Sequence, residues 1–467
     1  MEKIERVFSR RQFLGATALI AAGSVLAACA PKETGPVEGE EAVAKPDEQA
    51  APAPGEQVTV RFMSRAGADN IPTYEKVIRE DFESANPNIK VSIEPAPDGW
   101  VELMLTQMVA GTAVDIFQAW GNIFFQWTER GLLLDLQPYV DVDLTAEEIA
   151  DYNDFQWEGL VMRGTRVGMP KYINLMTVTI NKDLFDEYGI EYPPEDGDWD
   201  HDDYADLSRR LTEAARSAGK ENEWGGWYPA WSWDRFWYRV DMFGGSVVDE
   251  KYGRKCMLDS EESQAALKWV YDIMYRDNWW AQPAQVENKW LRDSMSAGFI
   301  SMGEDGTYPM GNGRVFAEAG IRWDFRHVPK GPTGIRKVLG TTDAWSATKQ
   351  SKHPDEAWAL LKFLSGPTFQ TKAVVGQEGL IPVLKSLMPT YIDTVRGILP
   401  ELNDVRLETI TEILEWGYAE DSFWFDNQTC ADEIIRPALE KVFQVGDVGP
   451  EYFIEIAQEV TACQTAG

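Results

Sequence analysis

Residues 58–93 read VTVRFMSRAGADNIPTYEKVIREDFESANPNIKVSI, and the hydrophobic period changes twice within them. Val58, Val60 and Phe62 alternate, as a strand with one buried face does. Tyr74, Val77, Ile78, Phe82 and Ala85 then fall at helical spacing until Asn86-Pro87 stops the helix. Ile89, Val91 and Ile93 alternate again. A strand, a helix and a second strand in this order make a β-α-β unit, whose strands lie parallel with a right-handed crossover.

Outward from this stretch the pattern repeats. Val101, Met104, Leu105 and Met108 share a helix face closed by Gly111, and Val114-Asp115-Ile116-Phe117 is a short buried strand. Further on, Asp259-Ser260-Glu261-Glu262 reads as a capping box ahead of Ala266, Trp269, Val270 and Ile273. Pro354 suits a first helical turn before Ala357, Trp358, Leu361 and Leu364. The chain from residue 57 onward therefore reads as α/β with parallel sheets. It exceeds what one hydrophobic core usually spans, so two lobes are expected.

The N-terminus has another character. Lys3, Arg6, Arg10 and Arg11 come first, and from Phe13 to Ala28 every residue is apolar or small, over a span short for a membrane anchor. Ser9-Arg10-Arg11-Gln12-Phe13-Leu14 resembles the twin-arginine export signal. Leu26-Ala27-Ala28-Cys29 resembles the lipobox of bacterial lipoproteins, which implies a signal peptide over 1–28 and lipidation of Cys29. From Ala30 to Gln57 the chain is Pro, Ala, Glu and Gly with almost no large apolar residue, the composition of a flexible linker.

The formal net charge is −32, and removing residues 1–28 leaves 40 basic against 74 acidic side chains. Such acidity argues against a nucleic-acid partner, which needs clustered Lys and Arg. Cys256, Cys430 and Cys463 are widely spaced, with no C-x-x-C pair. One disulfide between two of them, or three thiols, are equally compatible with the spacing. No metal or cofactor motif is present. Residues 195–203 (EDGDWDHDD) alternate Asp as oxygen ligands do, but His201 stands where a calcium loop needs Gly and Leu207 where it needs Glu. Asp200 or Asp202 capping the helix that holds Leu207 and Leu211 is the simpler expectation.

A series of landmarks then carries a family resemblance: residues 82–91 (FESANPNIKV), 110–117 (AGTAVDIF), 131–136 (GLLLDL), 168–170 (GMP), 180–185 (INKDLF), 297–306 (AGFISMGEDG) and 346–363 (SATKQSKHPDEAWALLKF). In this order they resemble the extracellular solute-binding proteins of bacterial ABC importers, in the sugar-binding family 1 that includes maltose-binding protein. The resemblance implies a two-lobed periplasmic-binding-protein-like α/β fold with discontinuous lobes and a ligand cleft between them. Mapped by the landmarks, the first lobe takes 57–170 and 304–365 and the second 171–303 and 366–467. It further implies capture of a sugar or oligosaccharide, delivery to ABC permease subunits, a monomer, and attachment to the outer face of the cytoplasmic membrane through the lipid anchor alone.

Sugars present flat C–H faces rimmed by hydroxyls, so a sugar site combines stacking rings with carboxylates, amides and Arg. Trp224, Trp227, Tyr228, Trp231, Trp233 and Trp237 crowd within fourteen positions, and the Gly- and Pro-interrupted part does not read as a helix interior. Trp231 and Trp233 are the preferred ligand contacts of this run, and Trp237 the core residue. Loop and strand ends that the resemblance places at the cleft add Ser64, Arg65, Gln118, Trp120, Lys171, Tyr172, Glu304, Asp305, Tyr308, Asp343 and Trp345. A glycoside hydrolase would also need carboxylates and rings, but His201, His327 and His353 sit in no nucleophile or metal pattern, and G-x-S-x-G, H-E-x-x-H and phosphate-loop motifs are missing after the N-terminal segment. No catalytic residue is assigned. A non-sugar solute is the other reading: a polyol phosphate, for which only Arg65 and Lys171 offer charge, or a betaine-like osmolyte held by aromatic faces.

Overall fold

The computed structural model describes residues 57–419 and 423–465. The twin-arginine stretch, Cys29 and the linker up to residue 56 lie outside the described residues. The first strand, β1 (Val58–Ser64), buries Val58, Val60 and Phe62 as the alternation requires. The helix α1 (Ile71–Val77) runs on as a wider π turn, Ile78–Glu83, and buries Tyr74, Val77, Ile78 and Phe82. Asn86 closes it by donating from its backbone N–H and from its side-chain amide to the Phe82 carbonyl. β2 (Ile89–Pro95) then pairs parallel with β1, Val58 opposite Ile89 and Phe62 opposite Ile93.

After α2 (Trp100–Ala110), closed by Gly111 in the left-handed conformation, β3 (Ile116–Trp120) lies parallel to β1 on its other side. The strand starts two residues later than the apolar run suggests. Asp115 explains the delay, because its carboxylate accepts the backbone N–H of Arg61 at 2.9 Å, where a ladder partner would otherwise sit. Next come α3 (Gly121–Glu129) and the small hairpin of β4 (Val161–Met162) and β5 (Thr165–Arg166).

Parallel pairing throughout, expected from the β-α-β start, is corrected from here on: the sheet is mixed. β6 (Met169–Asn181) is one strand of 13 residues with two sets of partners. Its first half pairs antiparallel with β9 (Val338–Ala347), and its second half with β7 (Met302–Gly306) and β8 (Trp323–Arg326). β9 pairs with β3 on its far side, and β10 (Gly417–Ala419) adds parallel to its start. The sheet path is β2-β1-β3-β9-β6-β7.

Helix starts fall where expected. The helix Glu261–Tyr271 is capped by Ser260, whose hydroxyl accepts the N–H of Ser263, a single cap in place of the expected capping box, and Pro354 occupies the first turn of Pro354–Ser365. Asp200 caps His201–Ser217, its side chain accepting from the N–H groups of Asp202 and Asp203. Cys430 pairs with Cys463, joining the helices Gln428–Leu439 and Tyr452–Thr465, whereas Cys256 is a buried thiol pushed up to about 12 by burial. Among the described residues no helix is long and apolar enough to cross a membrane.

Candidate functional site

β1 and β3 run parallel and end side by side, and β9 and β6 lie beside the end of β3. Trp120 of β3 and Tyr172 of β6 both lie opposite Asp343 of β9. Ser64, Arg65, Gln118, Trp120, Lys171, Tyr172 and Asp343 are thereby brought together at the carboxyl ends of parallel strands, where open α/β sheets place ligands. Ser64 is fully buried and shapes the turn, its hydroxyl accepting the N–H of Ala66 at 3.1 Å.

Gln118 organises the centre. Its amide donates to Asp343 Oδ1 at 2.9 Å, while its carbonyl oxygen accepts the backbone N–H of Arg65 at 3.3 Å and the ammonium of Lys171 at 3.4 Å. Lys171 stands at a β-bulge, since Pro170 and Tyr172 oppose consecutive residues of β9. A bulge re-aims one side chain out of the pleat, and the buried Lys171 ammonium thus reaches Glu378 Oε2 at 3.2 Å. The other oxygen of Glu378 accepts the hydroxyl of Tyr74. Burial raises the Asp343 carboxyl above its ordinary range, and the charges of Lys171 and Arg65 with the Gln118 bond pull it back. Burial also raises the Tyr172 phenol, and the Asp343 carboxylate adds to the effect.

The rim is aromatic. The Arg65 guanidinium lies 4.1 Å from the centre of the Trp120 ring, 5.7 Å from that of Trp100, and 3.4 Å from Asp343 Oδ2. Trp100 meets Trp120 edge-on at 5.7 Å. Toward β7, Asn174 donates to the Tyr308 hydroxyl at 2.9 Å and to Thr341 Oγ1 at 3.0 Å, so Tyr308 is tied to β6 and β9. Asp305 pairs with Arg235 at 3.3 Å. Trp231 is half-buried, with the buried Trp227 edge-on at 5.9 Å.

Two expected contacts lie deeper than most of the rest. Glu304 is fully buried away from the cluster, its carboxylate bonded by the Tyr238 hydroxyl and the Arg239 guanidinium. Neighbours on a strand point to opposite faces, so Asp305 can meet the cleft only because Glu304 does not. Trp345 shares the face of Asp343 but sits two residues deeper, fully buried with Phe369 edge-on at 5.6 Å. Trp224, Trp227, Tyr228 and Trp237 are core, of which Trp237 had been singled out. Trp233 opens the helix Trp233–Met242, and its side chain lies outside the described part. Conversely, Glu378, Tyr74, Trp100, Asn174 and Arg235 belong to the cluster and were not anticipated. The Gly-flanked acid in residues 376–379 (GQEG) was the one local signal available.

Among the described residues one group has metal-ligand spacing, Asp200, His201 and Asp202, and Asp200 is committed to its helix cap. A groove of 840 Å³ between Phe82, Tyr139, Trp358 and Phe363 lies apart from the cluster, none of whose residues lines it.

The family model described as bacterial extracellular solute-binding protein matches residues 67–371. The chain belongs to this family. The solute-binding protein is 23% identical over 343 residues to the erythritol/L-threitol-binding protein of Mycolicibacterium smegmatis, covering 68% of this chain and 69% of that one. It is 25% identical over 317 residues to a binding protein of Brucella abortus (strain 2308), covering 67% and 73%. An ABC substrate-binding protein from Listeria monocytogenes, solved in complex with cycloalternan, superposes with a TM-score of 0.73 at 22% identity, covering 87% of this chain and 99% of the other. The solute-binding protein has the two-lobed α/β fold of these structures.

Proposed function

We propose that this solute-binding protein captures a sugar or oligosaccharide outside the cell and delivers it to the permease of an ABC importer, without catalysis. The carrying observation is the charge-balanced polar cluster under an indole rim: Arg65 faces Asp343, Lys171 faces Glu378, and Trp100 and Trp120 stand beside them. Paired charges offer donors and acceptors to hydroxyls without attracting net charge. That favours a sugar over a polyol phosphate, whose charge would have to pull Arg65 or Lys171 from a carboxylate. It also disfavours hydrolysis, because Asp343 and Glu378 are both spent on cations.

In this reading Lys171, Tyr172, Tyr308, Asp305, Trp231 and Trp233 join Arg65, Gln118, Trp120 and Asp343 as ligand contacts. Strand pairing supports a lobe boundary inside β6, after Leu175, and a return to the first lobe at β9 instead of near residue 304. Ligand binding shifts an open–closed equilibrium, and the closed form docks on the permease. The twin-arginine and lipobox motifs support export and a lipid on Cys29. Cys29→Ser is expected to move the protein to soluble fractions with binding intact.

A thermal-shift panel of sugars, polyols, polyol phosphates and quaternary amines tests the ligand class. A ligand at a hundred times its Kd stabilises by about 2.7 kcal/mol. The reading expects shifts with sugars and no product on prolonged incubation. A shift with amines or phosphates and none with any carbohydrate would overturn it. The erythritol/L-threitol-binding relative makes short polyols the second class to screen.

A further inference from the structure

Between Arg130 and Arg163 the chain carries eight Asp and Glu and no Lys or Arg. None of the eight belongs to the ligand cluster. Five of them ride on two short helices, Gln137–Asp143 and Ala146–Asp151, which together with the helix Pro354–Ser365 wall the groove of 840 Å³. That volume is near the upper end of ligand pockets, which run from about 300 to 1,000 Å³. The floor is apolar. Phe82, Tyr152, Trp358 and Leu384 are buried in it, and the half-buried Tyr139 stacks on Trp358 with ring centres 5.6 Å apart. Val142 lines it as well and is 83% exposed, the most exposed large apolar side chain among the described residues.

Besides Asp81, which pairs with Lys372, four carboxylates line the groove, and each is held by neutral donors. Asp143 accepts the indole N–H of Trp358 at 2.6 Å, and Asp355 accepts the hydroxyl of Tyr139 at 3.1 Å. Asp151 accepts the N–H and the hydroxyl of Ser386 at 2.8 and 2.7 Å, and Glu148 accepts those of Thr145 at 2.7 and 2.9 Å. These bonds fix the carboxylates and leave their charge unanswered. Lys385 pairs with Asp154 instead, and Lys362, the cation in the lining, donates to the Asp143 backbone carbonyl. Among the described residues none of the four makes an ion pair.

An apolar floor bounded by uncompensated negative charge is complementary to a surface that is apolar and positive. One small cation answers one carboxylate of the four. A polypeptide segment with several Lys or Arg meets them together, while its apolar side chains fill the floor. An anionic membrane is repelled by the same charges.

We propose that this groove docks a cationic, apolar-anchored polypeptide segment of another protein, whether or not the cleft holds solute. The groove shares no residue with the ligand cluster, so the inference goes beyond the sugar reading and stands or falls separately from it.

Fluorescence anisotropy tests it on the intact protein, with a labelled amphipathic peptide of Leu and Lys at helical spacing and with versions in which Ser replaces Leu or Glu replaces Lys. The Leu/Lys peptide should bind, and either replacement should abolish binding. Glu148→Gln combined with Asp151→Asn should weaken it by about tenfold, and Val142→Ser by about threefold. The charge-matched control, Glu455→Gln with Glu459→Gln on the exposed face of the helix Tyr452–Thr465, should leave it unchanged. Amide side chains still accept the Thr145 and Ser386 bonds, so the melting temperature should stay close to that of the parent. Hydrogen exchange should slow on peptide binding at residues 138–152 and 354–368, and saturating solute should alter none of the affinities. No binding, equal binding of the Ser peptide, equal weakening in the control, protection elsewhere, or an affinity changed by solute overturns the proposal. Protection of the groove by phosphatidylglycerol vesicles or by an oligosaccharide in place of the peptide gives it another occupant and overturns it as well.

Discussion

Asp343 is 5% exposed, and its carboxylate is held by Gln118, Arg65 and the nearby charge of Lys171. Burial raises its pKa, so it takes up a proton at a higher pH than an ordinary carboxylate and then ceases to be a full acceptor. Ligand affinity should therefore fall as the pH is lowered, and should begin to fall at a higher pH than an ordinary carboxylate would set. Asp343→Asn should begin about ten- to a hundredfold weaker, the worth of a charged hydrogen bond, and lose that pH dependence. Titration calorimetry at several pH values reads both, and a parent-like slope in the variant would place the titrating group elsewhere. His327 sets a different pH response. Burial, with Arg336 adding to it, lowers its pKa to about 4, and its Nε2 meets Glu412 at 2.9 Å. In the unfolded chain a histidine titrates near 6.5. Between those values the unfolded state binds more protons, so stability rises with pH and is lost as pH falls through the window. Urea unfolding at pH 7 and pH 5 should show a smaller loss for His327→Gln than for the parent; equal losses would clear His327 of the effect.

At the scale of elements, Gly306 is where β7 passes the cluster. A Cβ there would lie 2.3 Å from Asn174 Oδ1 and 2.8 Å from the Tyr308 ring. Gly306→Ala should push Asn174 and Tyr308 apart, cost about 1–3 kcal/mol in overpacking, and weaken ligand binding beyond what the melting temperature accounts for. If affinity is untouched, the Asn174–Tyr308 bond is not part of the site. The elements also show what a sequence can disclose. β1, α1 and β2 were legible because each buries one face, which writes a period of two or of 3.6 into the chain. β6 was not, because nearly all its residues are buried on both faces. A strand without alternation carries no readable period, and its partners lie more than a hundred residues away. The same limit applies to the site. Arg65, Gln118, Trp120, Lys171 and Asp343 could be read as strand ends, whereas the face that Glu304 takes and the depth at which Trp345 lies could not. Glu378 is brought in by packing, through Phe369 on Tyr74 at 4.8 Å, and packing leaves no local mark.

At the scale of the molecule, the Cys430–Cys463 bridge closes a loop with a sequence separation of 33 and joins two C-terminal helices that contribute no residue to the cluster. Cys430→Ser should cost about 3–4 kcal/mol by the loop-entropy relation, measured by denaturant unfolding, and leave ligand affinity unchanged. An altered affinity would show that these helices steer the cleft. The other link of molecular reach is β6. Its two ladders meet without a break between Leu175 and Met176, so any relative turning of the halves it serves has to twist this strand. Such a connection behaves as a torsion bar more than as a hinge pin. If the two halves turn on ligand binding, this strand would resist in proportion to the angle, and the ligand's contacts would have to supply that work.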